Sequence, residues 1–198
     1  MLLTLADCLV VGIIKEFTML RQSSQPATDP SPATEHKGAA PTSLACAVVT
    51  ISDTRTIATD KSGALIAQFL ESAGHRIVDR AIVPDEPDRI QALVSGYVAR
   101  ADVQAVLITG GTGISPRDQT YETICGLLTK PLVGYGELFR MLSYHEIGPA
   151  AMLSRAVGGL VGDMVVLTMP GSTAAVRLAM EKLVLPELGH IVREATKQ

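Results

Sequence analysis

Residues 103–108 read Val-Gln-Ala-Val-Leu-Ile and run directly into Thr109-Gly110-Gly111-Thr112-Gly113-Ile114-Ser115-Pro116-Arg117-Asp118. A helix-like segment starts at Thr120. An apolar, β-branched run without alternation predicts a strand buried on both faces, which has to be covered from above and below. Three glycines within four residues let backbone N–H groups come close to an anion, because glycine has no Cβ to hold a ligand away. Such a turn suits phosphate, and the aspartate at its far end suits magnesium or proton handling. No Gly-Lys-Ser/Thr follows, so this is not a Walker A loop, and the Gly-Gly-Thr-Gly spacing is not the dinucleotide fingerprint. By itself the turn fits a bare strand-to-helix connection as well as a ligand loop.

The same pattern recurs along the chain. Residues 44–51 are a continuous apolar run, a first buried strand that ends at Ser52-Asp53-Thr54-Arg55. Thr59-Asp60 caps a helix to about Ala73, with Gly74 as its stop and Leu65, Ile66, Phe69, Leu70 and Ala73 as its stripe. A second strand spans 77–83. Pro84-Asp85-Glu86-Pro87 then turns into a helix carrying Ile90, Leu93, Val94, Tyr97 and Val98 on one face. After the central loop a helix runs from Thr120 to about Lys130, ended by Pro131. Gly134-Tyr135-Gly136 makes a glycine turn into another helix, on which Glu137 and Arg140 share a face. Gly158-Gly159 and Gly162-Asp163 mark turns. A strand over 164–169 stops at Pro170-Gly171-Ser172. The helix that follows carries Val176, Met180, Leu183 and Val184 and is interrupted at Pro186, and Leu188, Ile191, Val192 and Ala195 line a last one. Strands alternating with helices in this way predict an α/β fold, a three-layer sandwich with a mostly parallel central sheet.

The 198 residues fit one domain, residues 44–198, behind an N-terminal extension, residues 1–43. With 47% apolar residues, 4% aromatics and no Trp, the core is aliphatic. A net charge of −3 argues against a nucleic-acid binder, which carries a basic face. Cys8, Cys46 and Cys125 are odd in number and lack C-x-x-C spacing. That argues against a disulfide framework or a zinc site and fits a reducing, cytoplasmic setting. Cys46 and Cys125 read as core packing. Residues 2–14 are apolar but too short for a membrane span, and no positively charged segment precedes them. Residues 22–43 hold Pro26, Pro30, Pro32 and Pro41 among small polar residues, a composition that reads as disordered. Met19 just ahead of them is a candidate true start.

Three predicted strands end in Gly/Ser/Thr/Asp loops, at 52–55, 109–118 and 170–172. In a parallel sheet those ends lie on one edge, where α/β folds bind ligands. Asp53 and Arg55 there fit a ligand contact, and equally a solvated loop in which Asp53 makes an Asx turn. Asp85 near a helix start fits a cap as well as a functional carboxylate.

Taken together, these loops resemble the family of molybdenum cofactor biosynthesis protein B and the molybdopterin adenylyltransferases, which includes a domain of gephyrin. The resemblance is carried by residues 109–113 with Arg117, Asp118 and Thr120, by Gly134-Tyr135-Gly136-Glu137-Leu138-Phe139-Arg140 with Leu142-Ser143, by Ser154-Arg155-Ala156, and by Pro170-Gly171-Ser172. Ser52-Asp53 and Pro84-Asp85 match as well, so the likeness covers about residues 44–195. It implies an α/β sandwich that assembles into homotrimers or homohexamers. Its active members transfer AMP from ATP to the terminal phosphate of molybdopterin, with Mg2+ and release of pyrophosphate. A non-catalytic molybdopterin-binding protein of the same family is the alternative. Carried over, Asp118 and Asp85 are the catalytic carboxylates and metal ligands. Gly110, Gly111, Thr112 and Gly113 hold phosphate. Ser52, Asp53, Arg117, Thr120, Glu137, Ser154, Arg155, Gly171 and Ser172 belong to the substrate and nucleotide site. Tyr135, Tyr121, Thr123 and Thr173 depart from the residues common in the family and bear on pocket shape.

Overall fold

The computed structural model describes residues 41–197. The expectations for the segment ahead of them, an extension with a start at Met19, lie outside the described residues. Six strands form one sheet among those described, in the order β2-β1-β3-β6-β5-β4. Strands β1 (Ala45–Ile51), β2 (Arg76–Val83), β3 (Ala105–Thr109) and β6 (Met164–Met169) are parallel to one another. At one edge β5 (Gly158–Val161) and β4 (Lys130–Pro131) run antiparallel, so the sheet is mixed but mostly parallel.

Period-two alternation sorts the strand residues into two cores. Cys46, Val48, Leu107, Val165 and Leu167 face one layer of helices: α1 (Lys61–Ser72), α4 (Val133–Ile147), α5 (Thr173–Ala179) and α6 (Leu185–Thr196). Ala47, Val49, Ile51, Val106 and Ile108 face the other: α2 (Pro87–Val98) and α3 (Thr120–Leu127). The three layers follow directly, since a strand apolar on both sides is stable only when both are covered. Asp60 caps α1 as the sequence predicts, its side chain accepting from the Gly63 N–H at 2.9 Å, and Gly74 ends the segment with φ 85°. Burial pushes the Cys46 thiol up to about 12, so it packs as an inert thiol.

Several local expectations are corrected. Helix α3 stops at Leu127, three residues early, because Lys130 and Pro131 are drawn into the sheet against β5. Gly158 and Gly159 are strand residues, not a turn. A Cβ on Gly159 would run into the Lys130 carbonyl, so glycine is what allows β4 and β5 to meet. Gly134-Tyr135-Gly136 lies inside the first turns of α4 rather than ahead of it, and a Cβ on Gly136 would meet the Ala156 carbonyl at 2.5 Å. Pro186 does not interrupt the last helix. A π turn at Met180–Val184, closed by the Leu185 N–H on the Met180 carbonyl, carries the chain on into α6. Ala73, Val98 and Cys125 are exposed, not packed in the core. Among the described residues no helix is long and apolar enough to cross a membrane.

Candidate functional site

From β1 the chain passes to β2 on one side, then returns to β3 on the other. The loops leaving β1 and β3 therefore diverge, which opens a crevice at the carboxyl ends of the parallel strands. The loop after β3 occupies it. Gly110 and Gly111 both take left-handed backbone, φ 99° and φ 64°. A Cβ on Gly110 would collide with the Ile51 carbonyl, and one on Gly111 with Thr120 and Asp85, so the loop sits directly on β1 and on a polar floor. Thr109 anchors its start by donating to the Pro170 carbonyl at 3.1 Å.

Above the loop lies a cavity of about 340 Å³. Gly110, Gly111, Thr112, Gly113 and Asp118 form one side of it, and Pro170, Gly171 and Ser172 another. Ser154 and Ser143 add hydroxyls, and Phe139, Ile147 and Leu153 add an apolar wall. The Ser154 hydroxyl is buried without a hydrogen-bond partner among the described residues. Ser172 caps α5 by accepting from the Ala175 N–H at 3.2 Å. Glycines facing a concave surface, a helix N-terminus and an apolar wall suit a ligand with a phosphate at one end and a ring at the other.

Two carboxylates flank the loop: Asp118 lines the cavity, while Asp85 lies beneath Gly111 and is not among the lining residues. Asp85 is buried below the loop, where the Thr120 hydroxyl donates to its Oδ1 at 3.0 Å. Burial holds its carboxyl above the usual range, and the charge of Asp118 pushes the same way. Asp118 reaches the cavity, and its Oδ2 accepts from the Ser115 N–H at 3.0 Å. Among the described residues no cluster of three or more His, Cys, Asp and Glu side chains could hold a metal alone. Two carboxylates beside a backbone cradle are nevertheless the donor set that suits magnesium, which takes one or two carboxylates and completes its shell with phosphates and water.

The remaining sequence-predicted residues fall around this centre. Asp53 takes a two-pronged ion pair from Arg117, at 2.8 Å from Nε and 2.6 Å from Nη2, which ties the first loop to the central one. That guanidinium holds the Asp53 carboxyl below its ordinary value. Asp53 also accepts from the Asp85 N–H at 3.3 Å. Ser52 shapes the first loop by accepting from the Thr54 and Arg55 N–H groups, and with Asp53 it lines a separate, shallow hollow beside β2. Arg155 packs behind the central loop, on the carbonyls of Thr112 and Gly113, and is not among the cavity's lining residues. Glu137 is exposed on α4 and also lies outside that lining.

The long-range partners of Asp60 and Arg55 escape sequence reasoning. Asp60 is fully buried and accepts from Thr50 at 2.8 Å and Arg80 at 2.9 Å. Burial works against its charge, but the Gly63 N–H, Arg80 and Thr50 hold its pKa below the ordinary value. Arg55 bonds Ser62 and reaches the Gly171 carbonyl at 3.2 Å, joining the first loop to the third. The sequence signals are a cap at Asp60 and a guanidinium following the first strand at Arg55, and neither reveals these partners.

Comparison with known proteins places these loops in context. Residues 47–190 match the family described as probable molybdopterin binding domain. Molybdenum cofactor biosynthesis protein B of Bacillus cereus is 56% identical over 167 residues, 83% of this chain and 98% of that protein. A crystal structure of a molybdenum cofactor biosynthesis protein B superposes with a TM-score of 0.78 at 55% identity, covering 80% of this chain and 99% of that one. The tungsten cofactor synthesizing protein MoaB from Pyrococcus furiosus superposes with a TM-score of 0.69 at 37% identity, over 79% of this chain and 99% of that one.

Proposed function

Because the chain belongs to the molybdenum cofactor biosynthesis protein B family, with its molybdopterin-binding domain, we propose that it binds molybdopterin in this cavity and adenylylates it. The terminal phosphate oxygen of molybdopterin attacks the α-phosphorus of ATP, the bond from that phosphorus to the bridging oxygen breaks, and pyrophosphate leaves. The observation that carries the reading is the pair Asp85 and Asp118 set against the glycine loop. Two polyanions have to meet for this reaction, so the site must offset charge and fix direction. Backbone N–H groups of Gly111, Thr112 and Gly113 donate to phosphate, the Gly110 N–H being taken by the Met169 carbonyl at 3.1 Å, and the helix N-terminus at Ser172 adds its dipole. Asp85 and Asp118 would hold Mg2+. When bound, the ion offsets the repulsion between the reacting phosphates. Arg117 belongs to the same loop, and Asp53 holds its guanidinium in place. Phe139, Ile147 and Leu153 offer the ring of the substrate an apolar surface.

We also read the outward side of α4 as the face that a second copy covers in a homotrimer or homohexamer, since Leu138, Met141, Tyr144 and Ile147 are all exposed there.

An assay with molybdopterin, ATP and magnesium, following adenylylated pterin and pyrophosphate, tests the reaction. Asp118→Asn is expected to lower turnover by about 100-fold or more, the usual effect of removing one preorganised charge at a reacting centre. Unchanged turnover rejects the role of Asp118. Tight molybdopterin binding by the wild type without product makes the protein a binder and rejects the enzyme.

A further inference from the structure

The glycine loop has a second face, and Arg155 occupies it. Its Nε donates to the Thr112 carbonyl at 3.3 Å, and its Nη2 donates to the carbonyls of Gly113 and, at 3.5 Å, Asp118. Its Nη1 pairs with Glu122, and its guanidinium carbon lies 4.9 Å from the centre of the Tyr121 ring. Three carbonyls, one carboxylate and one aromatic face thus hold a single planar group, which is the fork geometry that suits arginine and not lysine.

The consequence for the loop follows from peptide geometry. In a trans peptide the carbonyl of one residue and the N–H of the next point in opposite directions, and no cis bond occurs among the described residues. Carbonyls of Thr112 and Gly113 turned toward Arg155 therefore turn the N–H groups of Gly113 and Ile114 away from it. The loop's other side is the cavity, which Thr112 and Gly113 line and Arg155 does not. A segment with glycines at 110, 111 and 113 has many alternative conformations, so one arrangement of its amides needs an external hold. Glu122 already neutralises the Arg155 charge, which leaves little of it for a ligand.

We propose that Arg155 is a positioning residue, fixed by Glu122 and Tyr121 on α3, that aims the Gly113 and Ile114 N–H groups at a phosphate ligand without touching it. The inference rests on reading the cavity as a phosphate site. It assigns a role to Glu122 and Tyr121, and it gives Arg155 a task different from lining the pocket.

Titration calorimetry with inorganic pyrophosphate on the full chain tests it. Positioning and direct contact predict opposite results for Glu122→Gln. If Arg155 positions the loop, loss of its carboxylate partner loosens the clamp and weakens pyrophosphate about 10-fold, in the range seen when groups that orient ligands are removed. If Arg155 contacts phosphate, the same change frees a cation and leaves affinity equal or tighter. Arg155→Lys should also lose about 10-fold, because an ammonium cannot span the carbonyls. Glu181→Gln, which removes the exposed partner of Arg177 at 3.1 Å, controls for general loosening and should leave binding unchanged. Unchanged or tighter binding by Glu122→Gln, wild-type affinity in Arg155→Lys, or an equal loss in Glu181→Gln overturns the proposal while the phosphate site stands. Wild-type protein that does not bind pyrophosphate overturns both.

Discussion

Asp85 carries a cost that the fold does not recover. Burial raises its pKa, so the native state binds its proton more tightly than the unfolded chain does. Stability from this group is complete below the unfolded value and falls as pH rises through the folded one. Asp85→Asn removes the penalty while its amide oxygen can still accept from Thr120. The variant is expected to melt above wild type at pH 8, with the advantage shrinking toward pH 4, as measured by scanning calorimetry across that range. A variant less stable than wild type at every pH would mean that the ionised carboxylate is fully satisfied in place. A destabilising group kept at a cleft is what a stability–activity trade-off looks like. At this scale the sequence is legible where chemistry is local. Three glycines and an aspartate within nine residues announce themselves, and the fold brings them to one cavity. Asp60 is not legible, because its partner Arg80 lies twenty residues away and its own neighbourhood spells only a helix cap. The placement of Arg155 is hidden for a related reason: its partners are backbone carbonyls, which leave no trace in residue type.

At the level of elements, glycine decides the edge of the sheet. Strand β4 has only two residues, and it reaches β5 because Gly159 presents no Cβ to the Lys130 carbonyl. Gly159→Ala forces that backbone apart. It is expected to cost about 1–3 kcal/mol, the usual range for overpacking, read as a lower urea midpoint with an unchanged slope. No change in midpoint would show that the edge pairing is dispensable. The periodicities of α1, α2 and the parallel strands are readable because each repeats over several residues and points at one core. The errors cluster where glycine serves close approach. At Gly159 and Gly136 the missing Cβ makes room for a neighbouring stretch of backbone, whereas local statistics assign Gly158-Gly159 and Gly134-Tyr135-Gly136 to turns. Pro186 misleads for a complementary reason, since one π turn ahead of it is enough for the helix to pass through.

For the whole molecule, the surface of α4 poses the largest imbalance. Leu138, Met141 and Ile147 are each about half exposed, Tyr144 is 57% exposed, and Met152 in the following 3-10 turn is 76% exposed. A soluble monomer rarely leaves so many large apolar side chains on one contiguous region. Ile147 and Leu153 belong both to this region and to the cavity wall, so whatever covers the region also borders the site. The sequence conceals the feature because α4 has a weakly segregated pattern, with apolar residues on its buried and outward sides alike. Charges placed at the centre of the face should abolish association without disturbing the core, because neither Leu138 nor Met141 is buried in the chain itself. The double substitution Leu138→Asp and Met141→Glu is therefore expected to give a species near the 20.9 kDa chain mass by light scattering, with wild-type circular dichroism, while the unsubstituted protein runs at a multiple of that mass. If the doubly substituted protein keeps the wild-type multiple, the assembly uses another face. If the wild type itself runs at the chain mass, the exposed side of α4 is left open in solution and the homo-oligomer reading fails.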